Sequence, residues 1–345
     1  MNITRRNFLA AGTVTATVAA QTRRGATKVG IDLFSIRSSG WSPFEYLDYC
    51  AKWKADVVHF SEARFLGNLE AAHVRKVSEH ARRLGIELEI GMSSICPTSA
   101  RFSAKEGPAE EQLGRMIDAA KIAGSPIVRA YVGTAADRQA PGGIEKHIEA
   151  TVGVLHRVKS RAVDANVKIA VENHAGDMQA RELKMLIEAA GKDFVGACID
   201  SGNPVWALED PHLTLETLAP YGLTSHIRDS QVWRTPKGVV VRWVRTGEGN
   251  VGIDEWIRRY QHLCPGRTVT HEVLVTGPRE FPVFDPAFWD GYRNVPAWEF
   301  SRFLALAERG KPSEDYQAPP KDQQAQRERE DLEASVRHVW KVLGI

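Results

Sequence analysis

The sequence predicts an α/β protein whose strand-helix units close into a (β/α)8 barrel with a C-terminal helical extension. Three observations carry that expectation. Short apolar runs alternate with longer amphipathic stretches about eight times between residues 28 and 309. Each short run is mostly apolar throughout rather than on alternate residues, as a parallel strand covered on both faces must be. No GxGxxG follows the first run, which lowers the alternative of an open dinucleotide-binding sheet and favours closure.

The first 27 residues read as a removable leader. Thr4-Arg5-Arg6-Asn7-Phe8-Leu9 precedes a mildly apolar run ending Val18-Ala19-Ala20. That is the pattern of a twin-arginine signal, with small residues before a cleavage point at Gln21. At about a dozen residues the run is too short to cross a hydrocarbon core of roughly 30 Å. The expectation is a folded protein carried by the twin-arginine export machinery to the periplasm, without stable membrane insertion.

Strand-like runs follow at 28–33, 56–60, 86–92, 127–131, 167–172, 195–200, 223–227 and 269–274. Helical stretches at 69–84, 110–123, 144–165, 180–190 and 254–263 separate them. In the first of these, Leu69, His73, Val77, Ala81 and Leu84 recur at three- and four-residue steps and mark one buried face. Gly85, Gly124 and Gly191 stand where helix C-caps belong. After the eighth run comes an irregular insert, 276–296, rich in Pro, Phe, Trp and Tyr, and then a helix over 298–308. Residues 310–320 read as a linker, and 321–343 as a charged helix that packs on the barrel or on another copy of the chain. The domain plan is therefore a leader at 1–27, a catalytic barrel at 28–309, and a linker with C-terminal helix at 310–345.

Composition agrees with a globular enzyme. The 345 residues are 43% apolar and 26% charged, which excludes a disordered chain and allows a full core without disulfide staples. Lys plus Arg number 45 against 43 Asp plus Glu, a net charge of +2. Neither nucleic acid nor an anionic membrane surface is an expected partner. The four cysteines are scattered without a CxxC pair, so a zinc ribbon and a disulfide framework are both disfavoured.

In such a barrel the C-terminal strand ends converge on one pocket. The fifth strand ends Ala170-Val171-Glu172-Asn173-His174, and the sixth ends Cys198-Ile199-Asp200-Ser201-Gly202-Asn203. The seventh ends Ser225-His226-Ile227-Arg228-Asp229, and the eighth carries Thr270-His271-Glu272. Four consecutive strands thus bring Glu172, Asp200, His226 and Glu272 to one rim, each in an otherwise apolar run where an unpaired charge is costly. Three carboxylates so close repel one another unless a cation neutralises them. Three oxygen ligands and one imidazole select one fairly hard divalent ion, Mn²⁺ first, with Mg²⁺, Co²⁺ or Zn²⁺ as alternatives.

With these residues in place, the chain resembles the xylose isomerase-like TIM barrel superfamily, in its sugar phosphate isomerase/epimerase branch. That branch includes D-tagatose 3-epimerase-like enzymes and hydroxypyruvate isomerases. The resemblance covers about Lys28–Leu306 and rests on Val-Glu172-Asn-His, Ile-Asp200-Ser-Gly-Asn, His226 with Asp229, Glu272, and Gly247-Glu248-Gly249 with Ile253-Asp254. It implies that Glu172, Asp200, His226 and Glu272 hold the metal, and that Glu172 and Glu272 serve as acid and base on opposite faces of the substrate. Two positions depart from the epimerase pattern. Asn203 stands in the region where a substrate-binding histidine is common, and Arg228 stands where lysine is usual.

The chemistry expected is proton abstraction next to a carbonyl of a small carbohydrate, through a metal-stabilised enediolate. Delivery to the other face epimerises; delivery to the neighbouring carbon isomerises. The alternative is a 3-keto-glycoside lyase in which the same base drives β-elimination. His174, two residues after Glu172 and on the same side of its strand, is a candidate substrate contact. Asn203, Arg228, Glu62 and, on the aromatic insert, Trp289 complete that set. Beside Trp289 the insert offers Phe281, Phe284, Phe288 and Tyr292 as stacking platforms for sugar C–H faces. An endonuclease-like phosphodiesterase is disfavoured by the near-neutral charge and the single clear histidine ligand. A metal-independent sugar-binding protein would not need this donor set. A homo-oligomer is compatible with the charged tail.

Overall fold

In the computed structural model, which describes residues 27–313 and 316–345, the strands are β1 (Val29–Asp32), β2 (Val57–Phe60), β3 (Glu87–Ser94), β4 (Ile127–Tyr131), β5 (Lys168–Glu172), β6 (Val195–Asp200), β7 (Gly222–His226), β8 (Asp229–Arg234), β9 (Val239–Val244), β10 (Val269–His271) and β11 (Arg279–Phe281). Residues 1–26, all but the last residue of the expected export leader, lie outside the described residues. The helices are α1 (Pro43–Lys52), α2 (Ala63–Leu66), α3 (Ala71–Leu84), α4 (Ala109–Ala123), α5 (Ala135–Arg138), α6 (Gly143–Ala165), α7 (Ala180–Ala190), α8 (Pro211–Leu218), α9 (Ile253–Leu263), α10 (Ala297–Arg309) and α11 (Gln324–Leu343).

Eight parallel strands pair in the order β10-β1-β2-β3-β4-β5-β6-β7. The last gap is joined by short contacts: Ile227 N–H donates to Thr270 O at 2.7 Å, and Glu272 N–H to Ile227 O at 3.2 Å. The Ser225 hydroxyl adds a bond to Thr268 O at 2.8 Å. The barrel expected from the alternation is therefore present. The eighth strand stops at His271, three residues short of its expected end, so Glu272 stands just past the strand.

Strand residues alternate between the helix side and the interior. Ile31, Val58, Ile90, Val128, Val171 and Ile199 are buried in the shell under the helices. Their neighbours Asp32, His59, Glu89, Arg129, Glu172 and Asp200 are buried and charged or ionisable. The barrel interior near its C-terminal mouth is therefore polar, and every group in it needs a partner.

One feature differs from the sequence expectation. Hairpin β8–β9, not anticipated, stands between the seventh and eighth barrel strands, and β11 from the aromatic insert pairs antiparallel with β9. This small sheet, with α10 packed on it, forms its own apolar cluster around Val232, Val241, Phe281 and Phe303. The C-terminal helix α11 lies against the barrel beside α9 and β10, burying Leu332, Val336 and Val339 in the main core. It covers the eighth strand, so of the two placements expected for the charged tail the structure shows the one on the barrel. Among the described residues, no helix is long and apolar enough to cross a membrane.

Glu209 anchors the start of α7: its carboxylate accepts Ala180 N–H at 3.1 Å and the Thr214 hydroxyl at 2.5 Å. Burial pushes this carboxyl up to about 7, against those hydrogen bonds. A raised carboxyl binds its proton more tightly in the folded state, so its contribution is complete below about 4.5 and is lost as pH rises through about 7. Glu209→Gln removes that dependence. Between pH 5 and 8, melting of wild type and variant should diverge by on the order of 2 kcal/mol in favour of the variant at pH 8. Parallel pH profiles for the two proteins would contradict this.

Candidate metal centre

Each of the four strand-end residues is placed by a specific local device. Beyond β6 the chain turns back through Ser201-Gly202-Asn203, and Gly202 N–H and Asn203 N–H donate to Asp200 Oδ1 at 2.7 and 2.6 Å. The turn needs glycine, because a Cβ on Gly202 would lie 2.5 Å from that of Arg228. Glu172, at the end of β5, receives Asn203 Nδ2 on Oε1 at 2.9 Å and the Arg129 guanidinium on Oε2. Arg228 pairs with Asp200 through Nε at 2.9 Å and with Glu272. His226 Nε2 lies 3.1 Å from both Asp32 Oδ2 and His59 Nδ1.

These devices leave one face of the cluster without hydrogen bonds. Asp200 Oδ2, Glu272 Oε2 and His226 Nδ1 are buried without a well-formed hydrogen bond, Asp200 Oδ2 facing only the Arg228 Nε at 2.9 Å. His226 Nδ1 stands 2.6 Å from Glu272 Oε2 and 3.2 Å from Glu172 Oε2. One ligand atom from each of Glu172, Asp200, His226 and Glu272 falls within 4.8 Å of all the others. Lone-pair donors facing one another without hydrogen-bond geometry are costly unless they share a cation. Three carboxylate oxygens and one imidazole nitrogen fit a divalent ion. These four residues would hold it, with Asn203, Arg129, Arg228 and Asp32 steadying them from behind.

The electrostatics agree with ligands held ionised. Burial would raise Glu172, but the Arg129 guanidinium overcomes it and holds its carboxyl low. Burial also opposes ionisation of Glu272, and the Arg228 guanidinium holds it well below the usual range. Asp200 goes the other way: burial raises it, and Arg228 only partly compensates. It is the carboxylate with most to gain from a cation.

The structure distributes the other expected residues unevenly. His174 stacks on Tyr131 with ring centroids 3.9 Å apart, and its Nδ1 meets Gly133 O at 2.7 Å. Against a carbonyl that nitrogen must be the N–H, so Nε2 carries the lone pair. Desolvation holds this imidazole down at about 4, neutral at pH 7. Asn203 and Arg228 belong to the cluster, but their polar groups hold ligands. Glu62 is apart from it, paired with Arg64 at the start of α2. Trp289 is also apart: its Nε1 donates to Val283 O at 2.8 Å and its ring packs on Phe300 in the satellite core. The insert's Phe281, Phe288 and Tyr292 instead line a cavity at the barrel mouth.

Asp32, Glu89 and Arg129 are not singled out from sequence. Asp32 obeys the same strand-end rule, closing Val29-Gly30-Ile31-Asp32. Arg129 is a charge inside Ile127-Val128-Arg129-Ala130-Tyr131, the signal that marked Glu172. Trp206 and Trp243 carry no such mark.

A family model described as xylose isomerase-like TIM barrel matches residues 47–281. The chain is 24% identical over 183 residues to 3-oxo-isoapionate decarboxylase of Pectobacterium atrosepticum, covering 53% of this chain and 59% of that protein. It thus spans less than two thirds of that relative. D-psicose 3-epimerase with D-tagatose from Clostridium cellulolyticum H10 matches at TM-score 0.57 and 13% identity, over 81% of this chain and 96% of that one. IolI protein with a bound zinc atom matches at TM-score 0.54 and 16% identity, again over 81% and 96%. At these identities the likeness to both structures is one of fold.

Proposed function

The chain belongs to the xylose isomerase-like TIM barrel family, and from that premise we propose that it is a divalent-metal-dependent carbohydrate isomerase or epimerase moving the proton beside a carbonyl. One observation carries the reading: one ligand atom from each of four consecutive barrel strands converges on a buried point, and those of Asp200, His226 and Glu272 lack a hydrogen-bond partner. Such a cation, when bound, polarises a carbonyl and favours loss of the adjacent proton. The remaining work falls to side chains. Glu172 and Glu272 flank the donor set from its two outer strands, so one can take a proton and the other return it. Arg129 and Arg228 keep both carboxylates oriented. His174 offers Nε2 at the mouth, its ring fixed by Gly133 and Tyr131.

A second reading, β-elimination from a 3-keto-glycoside, is favoured by one feature. An arginine on each glutamate keeps both ionised, so neither starts with a proton to deliver to the opposite face, a delivery that elimination does not need. We also propose that the Arg5-Arg6 leader directs periplasmic export, where unphosphorylated sugars are the available substrates.

Incubating metal-loaded protein with ketoses and 3-keto-glycosides in D₂O tests the reading. Deuterium beside the carbonyl of recovered sugar is the expected result. A ring-opened isomer or epimer supports the first chemistry, and free aglycone the second. Absence of both exchange and product across that panel would falsify it.

A further inference from the structure

Beside the donor set lies a cavity of about 490 Å³, within the range of roughly 300–1,000 Å³ that fits drug-sized ligands. That is more room than a single sugar ring requires. One wall is aromatic: Trp206, Trp243, Phe281, Phe288 and Tyr292. The rest of the lining is mixed: the small residues Thr134, Ala135 and Ala175 beside Gln139, Glu280 and Arg279, whose guanidinium lies 5.6 Å from the Trp206 ring. Within this slot the rings make a surface suited to a flat group.

The slot is tied to the chemistry on two sides. Trp243 Nε1 donates to Gly202 O at 3.0 Å, and the Arg228 guanidinium lies 4.6 Å from the Trp243 ring. The same guanidinium pairs with Asp200 and Glu272, so a single side chain separates the slot from the ligands. On the other side Ala175 follows His174. Gly176 then turns with φ +81° so close to Trp206 that a Cβ would meet its carbonyl oxygen at 2.5 Å. A substrate reacting at the donor set therefore has its next ring beside this slot.

We propose that the slot holds a second ring of the substrate, which is a keto sugar joined glycosidically to an aryl or sugar ring rather than a free monosaccharide. This rests on the carbohydrate reading above and specifies its substrate class. A flat ring with an apolar face gains from the tryptophans, whereas a methyl group in the same position leaves them exposed to water.

Titration calorimetry on the metal-loaded full chain tests this with methyl β-glucoside, phenyl β-glucoside and methyl β-cellobioside. None carries a free carbonyl, so the result is independent of the reaction; failed deuterium exchange with successful titration would fault the reaction alone. At least one two-ring ligand should bind about tenfold more tightly than the methyl glucoside. Preference for the phenyl compound identifies an aryl ring, and preference for the cellobioside a sugar ring. Trp206→Ala should reduce the preference to about twofold or less; Phe288→Ala, at another point of the wall, serves if that variant does not fold. Equal or undetectable binding of all three ligands, or a preference that survives a folded slot variant, overturns the proposal.

Discussion

The double variant Asp200→Asn, His226→Ala should purify without stoichiometric divalent metal and exchange substrate protons at least about 10³-fold more slowly than wild type. The size of the effect follows from how the two residues are held. Asp200 Oδ1 is engaged by two backbone N–H groups, so Oδ2, faced only by Arg228 Nε at 2.9 Å, is the oxygen turned to the cation. Asparagine keeps the turn but loses the charge. Alanine at 226 removes the only imidazole in the four-residue donor set. Glu172 and Glu272 remain, each already engaged by an arginine. Metal content by mass spectrometry and deuterium exchange by NMR read the two losses, with circular dichroism checking the fold. Unchanged metal content in a folded double variant would place the cation elsewhere and remove the basis of the proposed chemistry.

Such residues are legible because each is a charge at the end of an apolar run, and in a parallel barrel those ends share one rim. The same rule reaches Asp32. What it does not yield is pairing: that Arg129 faces Glu172 depends on β4 and β5 lying side by side in register, with Tyr131 opposite Glu172. Hairpin β8–β9 left a readable trace, Thr235-Pro236-Lys237-Gly238 between runs rich in Val and Trp, masked by the expectation that helix must follow the seventh strand. The docking of α11 left none. Its buried face shows only that it packs somewhere, and nothing in residues 310–320 states where the linker returns it. Likewise Trp206 and Trp243 are 37 residues apart in sequence, yet their rings lie 4.6 Å from each other. Such proximity depends on how an insert folds back over the mouth.

Arg129 permits a sharper test, because it opposes the same charge that a bound cation would. It is 3% exposed, paired with Glu172, and also donates through Nη1 to Met92 O at 3.3 Å. Arg129→Met keeps much of its volume but leaves Glu172 buried without its arginine. Breaking a buried pair from one side costs about 3–5 kcal/mol, so chelator-treated variant should melt roughly 5–10 °C below chelator-treated wild type. With saturating Mn²⁺ the gap should narrow, since a ligand that binds only the folded state stabilises it in proportion to its affinity, and removing a competing cation raises that affinity. Metal should therefore raise the melting temperature of the variant more than that of wild type. Calorimetric scans of both proteins, with and without Mn²⁺, measure the difference directly. An equal metal-induced increment in the two proteins would mean that Arg129 and the cation do not act on the same carboxylate, and that Glu172 is held for structure rather than as a ligand.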